Sequence, residues 1–175
     1  MRTNLEADLK TLENNLEHSF VSQLEENQKI VHKICRLYTN DTDAHNDLFQ
    51  EITIQLWKAY PKFRGDSKFS TWMYRVALNT AMTLYQKSKR RIKTQDFEAV
   101  GFKIASEEYD ETEENQLALM YSAVKELNDI DKALVFLYLE DKNYKEISET
   151  LGISEVNARV KMNRIREKLR TILNP

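Results

Sequence analysis

The residues in this chain best suited to chemistry are ones that bind rather than react. Asp47, Gln50 and Glu51 return on one side of a helical repeat and make a patch of carboxylates beside an amide. Beyond Pro61 comes a polar hinge, Lys62-Phe63-Arg64-Gly65-Asp66-Ser67-Lys68, followed by Ser70, then Arg75 and Asn79 on one face of the next helix. Further along that helix lie Lys87, Lys89, Arg90, Arg91 and Lys93. Cations hold phosphate, and rings or amides meet bases, so this stretch reads as a nucleic-acid surface with Arg64, Lys68, Ser70, Arg75, Asn79, Lys87, Arg90 and Arg91 as its contacts. A third group, Ser154, Glu155, Asn157, Arg159, Lys161 and Arg164, opens the last helical stretch. There an Asn suits an adenine edge, an Arg a guanine and a Glu a cytosine amine. No nucleophile and base pair, phosphate loop or acidic metal cluster occurs at usable spacing, so neither an enzyme nor a metal or cofactor is expected.

Each group also has a plainer reading. Acids early in a helix favour its dipole, and cations at a helix end do the same. Phe69, Trp72 and Tyr74 sit at packing intervals, with Trp72 expected in the core. His18, His32 and His45 are scattered through the sequence and suggest no role, and Cys35 reads as a small packed hydrophobe.

The elements that must position these groups are helical. The chain is 41% hydrophobic and 31% charged, with three glycines and two prolines in 175 residues. Long 3.6-residue periodicity runs through it, and no strand pattern competes. Residues 1 to 40 read as one or two amphipathic helices, and Thr39 to Asp43 as a capped turn. Leu48, Ile52 and Leu56, with Phe49, Thr53 and Trp57 alongside, form the packing side of the next helix. Gly65, the only glycine in the first hundred residues, suits a sharp turn. The following helix is expected to bury Phe69, Trp72, Met73, Val76, Ala77, Thr80 and Leu84. Asn128 to Asp131 supply caps further on. The segment from Tyr144 to Ile172 reads as helix, glycine turn, helix. Ile147 and Leu151 pack from its first helix, Ile153 plugs the turn, and Val156, Val160, Ile165 and Leu169 anchor the second. This is the layout of a DNA-reading helix-turn-helix.

Charge divides the chain. From Lys58 to Lys93 ten cations face one anion, Asp66, whereas Asp96 to Glu114 holds eight acids and only Lys103. The net charge of −2 argues against a protein that coats DNA unaided. Residues 94–115 read as a flexible acidic linker between two small helical domains, 20–93 and 116–175, with a helical extension at 1–19. The lone cysteine excludes an internal disulfide. The first twenty residues lack a continuous apolar run, so no signal peptide or membrane insertion is expected and the cytoplasm is the natural compartment.

Three motifs in order carry a family likeness: Asp47-Leu48-Phe49-Gln50-Glu51; Phe69-Ser70-Thr71-Trp72-Met73-Tyr74-Arg75-Val76-Ala77-Leu78-Asn79; and Tyr144-Lys145-Glu146-Ile147, followed by Leu151-Gly152-Ile153-Ser154 and Arg164 to Leu169. With them, over Phe20 to Lys93 and Leu117 to Leu173, the chain resembles a bacterial RNA polymerase sigma factor of the extracytoplasmic-function group, the compact kind with only the second and fourth conserved regions. The resemblance implies that Asp47, Gln50 and Glu51 dock on the beta-prime clamp helices of core RNA polymerase and that the beta flap is a further contact. It implies that the hinge and the Arg75 to Asn79 helix melt and read the minus-ten element, with the loop capturing an unstacked base. The last helix would read the minus-thirty-five element, and the linker would occupy polymerase channels that later hold RNA. An anti-sigma factor is a further partner expected on this ground. Glu155-Val156-Asn157 departs from the family's usual pattern, so its upstream sequence preference does not carry over. Two other readings stand beside this one: a helix-turn-helix regulator acting without core polymerase, and a helical protein-binding adaptor.

Overall fold

The computed structural model describes residues 2–95, 120 and 122–173, and among them there are helices and turns but no strand. The architecture is all-α, as expected. Helix α1 spans Arg2–Tyr38, α2 Thr42–Ala59, α3 Phe69–Gln95, α4 Asp129–Leu139, α5 Tyr144–Leu151 and α6 Glu155–Leu173. They fall into two compact units, Met1–Ala81 and Met82–Pro175, divided within α3. Residues 96–115 of the expected acidic linker lie outside the described residues, and residues 94 and 95 continue α3.

In the first unit, Arg2–Tyr38 form one helix rather than two. Its second half carries Val31, Ile34, Cys35 and Tyr38 at helical spacing, all buried, and it packs against α2, whose Leu48, Ile52 and Leu56 are buried as expected. Each such aliphatic side chain contributes about 1.5–3 kcal/mol on burial. Burial also pushes the Cys35 thiol up to about 12, so it stays protonated and inert, a packed hydrophobe. Asp41 caps α2 by accepting from the Ala44 amide at 2.8 Å. The helix stops where Pro61 has no N–H to offer, and a short 3-10 turn, Tyr60–Lys62, leads into the hinge.

Gly65 takes φ +77°, and an added Cβ would meet nothing within 4 Å, so only backbone strain opposes a side chain here. Gly65→Val should therefore cost about 1–2 kcal/mol, visible as a lower urea midpoint. Gly65→Asn should stay near wild type, because Asn enters this region more easily.

The buried stripe of α3 is turned from the expected one. Phe69, Met73 and Ala77 are buried, but they are joined by Tyr74, Leu78 and Ala81, while Trp72, Val76, Thr80 and Leu84 are only half-buried. The apolar residues of this helix cover more than half its circumference, so composition alone did not tell which side faces inward.

In the second unit, Asn128 caps α4 by accepting from the Asp131 amide at 3.0 Å. Asn143 and Glu146 form a reciprocal capping box on α5, both bonds at 3.0 Å. Gly152 ends α5 in the left-handed region at φ 67°, and Ser154 accepts the Asn157 amide at 3.2 Å to start α6. Within the same unit, Lys132 of α4 is only 2% exposed, its ammonium 3.4 Å from the Tyr85 hydroxyl and 4.6 Å from that ring's centre.

The anchor of α6 differs from the expected one. Ala158, Met162 and Ile165 are buried, whereas Val156 and Val160 are 72% and 42% exposed. The three buried residues define the inward side of α6. On α5, Ile147 and Thr150 are the buried pair, with Leu151 half-buried.

Candidate nucleic-acid interface

Three surfaces emerge from this scaffold. On α2, Asp47 and Gln50 are exposed, and Glu51 is half-buried, its Oε1 accepting from Gln55 Nε2 at 2.7 Å. These residues stand opposite the Leu48-Ile52-Leu56 seam. Ile54 and Trp57 extend the same face and are 45% and 39% exposed. Its spacing puts Trp57 on the packing side. One side of its ring does pack, 5.1 Å from Phe20, while the rest stays on the acidic face. The sequence signal missed here was Ile54, an apolar residue in the middle of a polar stripe.

The second surface is the hinge. A pocket of about 290 Å³ is lined by Lys62, Phe63, Arg64, Asp66, Ser67, Trp72 and Arg75. Phe63 and Trp72 form its aromatic wall, with ring centres 5.1 Å apart. Behind them Phe69 lies 5.3 Å from Trp72, and Tyr60 links the group to Phe20 at 5.2 Å. Trp72 is thus not core, as expected from its spacing, but a pocket wall braced by the core. Arg64 lies 3.7 Å from Asp66 with both side chains almost fully in water, a pairing too weak to hold either in place.

The hinge brings together two of the expected contacts, Arg64 and Arg75, at the pocket itself. Lys68 and Ser70 sit at the start of α3, with the Lys68 carbonyl accepting from Trp72 at 3.2 Å. Asn79 is exposed about one turn beyond Arg75 on the same side. Lys87 is exposed too, but by helical geometry roughly a quarter turn or more around from that row. The side chains of Arg90 and Arg91 lie outside the described residues.

The third surface is the start of α6. Ser154 is its cap. Glu155 holds Arg159 at 2.6 Å, and the Arg159 guanidinium lies over the Tyr144 ring at 4.6 Å. Lys161 faces α4, 3.5 Å from the Asp131 carboxylate. Arg166 donates to the Tyr138 hydroxyl at 2.9 Å. Asn157 and Arg164 are exposed. Of the six expected contacts, then, Asn157 and Arg164 point outward, Glu155 and Arg159 neutralise one another, and Lys161 is engaged within the unit. Glu155→Gln should release Arg159 and remove a repelling charge. Non-specific duplex affinity should rise and the slope of log K against log salt steepen by about one, measured by fluorescence anisotropy.

The scattered histidines are not all apart. His32 on α1 and His45 on α2 meet with Nδ1 and Nε2 3.0 Å apart, and His32 stacks on Phe49 at 4.5 Å. Burial, then the charges of His32 and Arg36, hold His45 below its ordinary pKa. The unfolded chain therefore takes up this proton first as pH falls. Neutral His45 contributes fully above about pH 6.5, the ordinary histidine value, and its contribution fades below it. Urea unfolding should show a lower midpoint at pH 5.5 than at 7.5, a difference that His45→Gln should shrink.

Among the described residues no helix is long and apolar enough to cross a membrane, and no cluster of three or more His, Cys, Asp or Glu could hold a metal ion.

Comparison with known proteins agrees with this layout. Residues 24–91 match the model for sigma-70 region 2, and residues 117–169 match sigma-70 region 4, together well over half of the chain. The chain is 29% identical to the RNA polymerase sigma-H factor of Pseudomonas aeruginosa, covering 84% of this chain and 83% of that one. It is 27% identical to the ECF RNA polymerase sigma-E factor of Escherichia coli, covering 82% of each. Among solved structures, its fold is similar to the sigma factor RpoE in complex with the anti-sigma factor NepR from Bartonella quintana, with TM-score 0.70, 16% identity, and 89% of this chain and 96% of that one covered. It is also similar to CnrH in complex with the cytosolic domain of CnrY, with TM-score 0.64, 19% identity, and 90% and 89% covered. Two regions of one family in the right order, on the scaffold that presents an acidic face, an aromatic pocket and a helix-turn-helix, make this chain a member of the sigma-70 family of RNA polymerase sigma factors, in its extracytoplasmic-function group.

Proposed function

We propose that the protein directs core RNA polymerase to promoters through the three surfaces described. The α2 face of Asp47, Gln50 and Glu51, widened by Ile54 and Trp57, docks on the beta-prime clamp helices. The hinge pocket receives a base unstacked from the minus-ten element, with Phe63 and Trp72 as stacking surfaces and Arg64, Arg75 and Lys62 around the phosphates. The start of α6 reads the minus-thirty-five element from the major groove, and the C-terminal unit meets the beta flap. The protein does no chemistry of its own and acts in the cytoplasm. An anti-sigma factor is its expected antagonist, a reading supported by the anti-sigma factor NepR bound to one of the structures that share the fold.

The observation that carries this is the braced aromatic pocket beside exposed cations, next to an acidic helix face. A helix-turn-helix regulator acting alone needs neither. Holding two weak readers on one polymerase turns two poor contacts into one strong one through effective concentration. The test is transcription from a promoter library with purified core polymerase, with and without the protein, beside duplex binding by the protein alone. Selected start sites should appear only with both components. Equal duplex binding alone would favour the regulator, and no change in what the polymerase does would favour the adaptor.

A further inference from the structure

The outward face of α6 is not the row of cations that its composition suggests. Of the residues in its first two turns, Arg159 is held by Glu155 and Tyr144, Lys161 faces Asp131, and Ala158 is buried. Outward lie Val156, Asn157 and Val160, flanked by the half-exposed Arg159 and Glu155 pair, with Arg164 one turn on. Val156 and Val160 are four residues apart, so their side chains adjoin on one side of the helix. They are 72% and 42% exposed. A single surface valine needs no explanation. Two adjoining ones on the leading turns of a helix that carries six cations and two acids lie where only an apolar feature of a polyanion would suit them.

Duplex DNA has one such feature in its major groove, the 5-methyl group of thymine. We propose that Val156 and Val160 read thymine methyl groups in the upstream promoter element, and that Asn157 beside them takes the N6 and N7 edge of an adenine. The inference rests on α6 being the minus-thirty-five reader and adds the recognised group: at least one A·T pair oriented to bring its methyl against this valine pair. Specificity at that position then comes from apolar contact, not from arginine and guanine pairing. Arg164 is left to hold the phosphate that sets the helix in the groove.

The experiment uses the holoenzyme on a promoter recovered from the library, with each thymine of the upstream element replaced in turn by deoxyuridine, which removes the methyl and leaves the hydrogen-bonding edge unchanged. Open-complex yield at limiting holoenzyme should fall roughly three- to fivefold at one or two positions, the size expected for losing one buried methyl contact. Val156→Ala, or the pair Val156→Ala with Val160→Ala, should lower binding to the thymine promoter by a similar factor and make the thymine and uracil promoters equal. Alanine is a strong helix former on an exposed face, so folding is not at risk. Equal yields on thymine and uracil at every position with the wild-type protein would overturn the inference. So would a uracil effect that persists undiminished in the double variant. Scrambling the whole upstream element separates the two levels: if scrambling abolishes initiation while uracil does nothing, α6 reads this element without the methyls. If scrambling does nothing either, the upstream reading itself falls.

Discussion

Reversing the charge of the α2 face, Asp47→Arg together with Glu51→Arg, should abolish promoter-directed transcription, with a loss of more than about a hundredfold in holoenzyme formation. The expectation follows from where these groups stand. Asp47 is exposed and Glu51 half-buried, on the side away from the Leu48-Ile52-Leu56 seam, so the substitutions leave the packing of α1 on α2 intact. Removing one partner of a desolvated charge pair at an interface typically costs about 2–5 kcal/mol, and reversal adds repulsion. The check is co-purification or fluorescence-detected binding to core polymerase, alongside circular dichroism to show unchanged helix content. Ile54→Ala should weaken the same binding more modestly by removing apolar area from the middle of the face. If the double reversal bound polymerase as wild type does, the α2 face would not be the docking surface.

Trp72→Ala should separate promoter binding from promoter melting. Trp72 walls the hinge pocket with Phe63 and is braced by Phe69, so its loss removes a stacking surface in the place proposed for a flipped base. Base stacking on an aromatic ring is worth about 1–3 kcal/mol, which translates to roughly five- to 150-fold in open-complex formation. Permanganate footprinting of unpaired thymines would report the loss, while polymerase binding through α2 should be unchanged. A premelted promoter should not restore full activity, because base capture as well as strand separation would be impaired. Trp72→Phe, which keeps an aromatic face, should recover most of the function. If Trp72→Ala melted promoters normally with its fold intact, the pocket would not be the capture site.

These two variants test the two kinds of surface that the structure separates. The first is a rigid helix face with its side chains already in place. The second depends on a loop held in shape by Gly65 at positive φ and by a chain of rings from Phe20 through Tyr60 to Trp72. Loop position is therefore tied to core packing, and a change such as Phe63→Ala is expected to act on both stability and melting.

Sequence alone determined the helical class, the caps between Asn128 and Asp131, the sharp turn at Gly65, the Leu48-Ile52-Leu56 seam and the family motifs. Those are local properties: periodicity, hydrogen-bonding side chains beside chain breaks, and the absence of a Cβ act over a few residues wherever the chain goes. Tertiary structure alone decided the rotation of α3 and α6, and with it the roles of particular residues. Trp72 and Val156 are as apolar as Met73 and Ile165, so hydropathy placed all four inward. In the folded chain the sides bearing Ala77, Ala81 and Ala158 face inward, which leaves Trp72 at the pocket and Val156 outside. Likewise His32 and His45 are thirteen residues apart on different helices, and Lys161 found Asp131, and Arg159 the ring of Tyr144, only when α4, α5 and α6 packed together. Which side chains remain outward for polymerase and DNA is the remainder left by packing, and packing is a property of the whole chain.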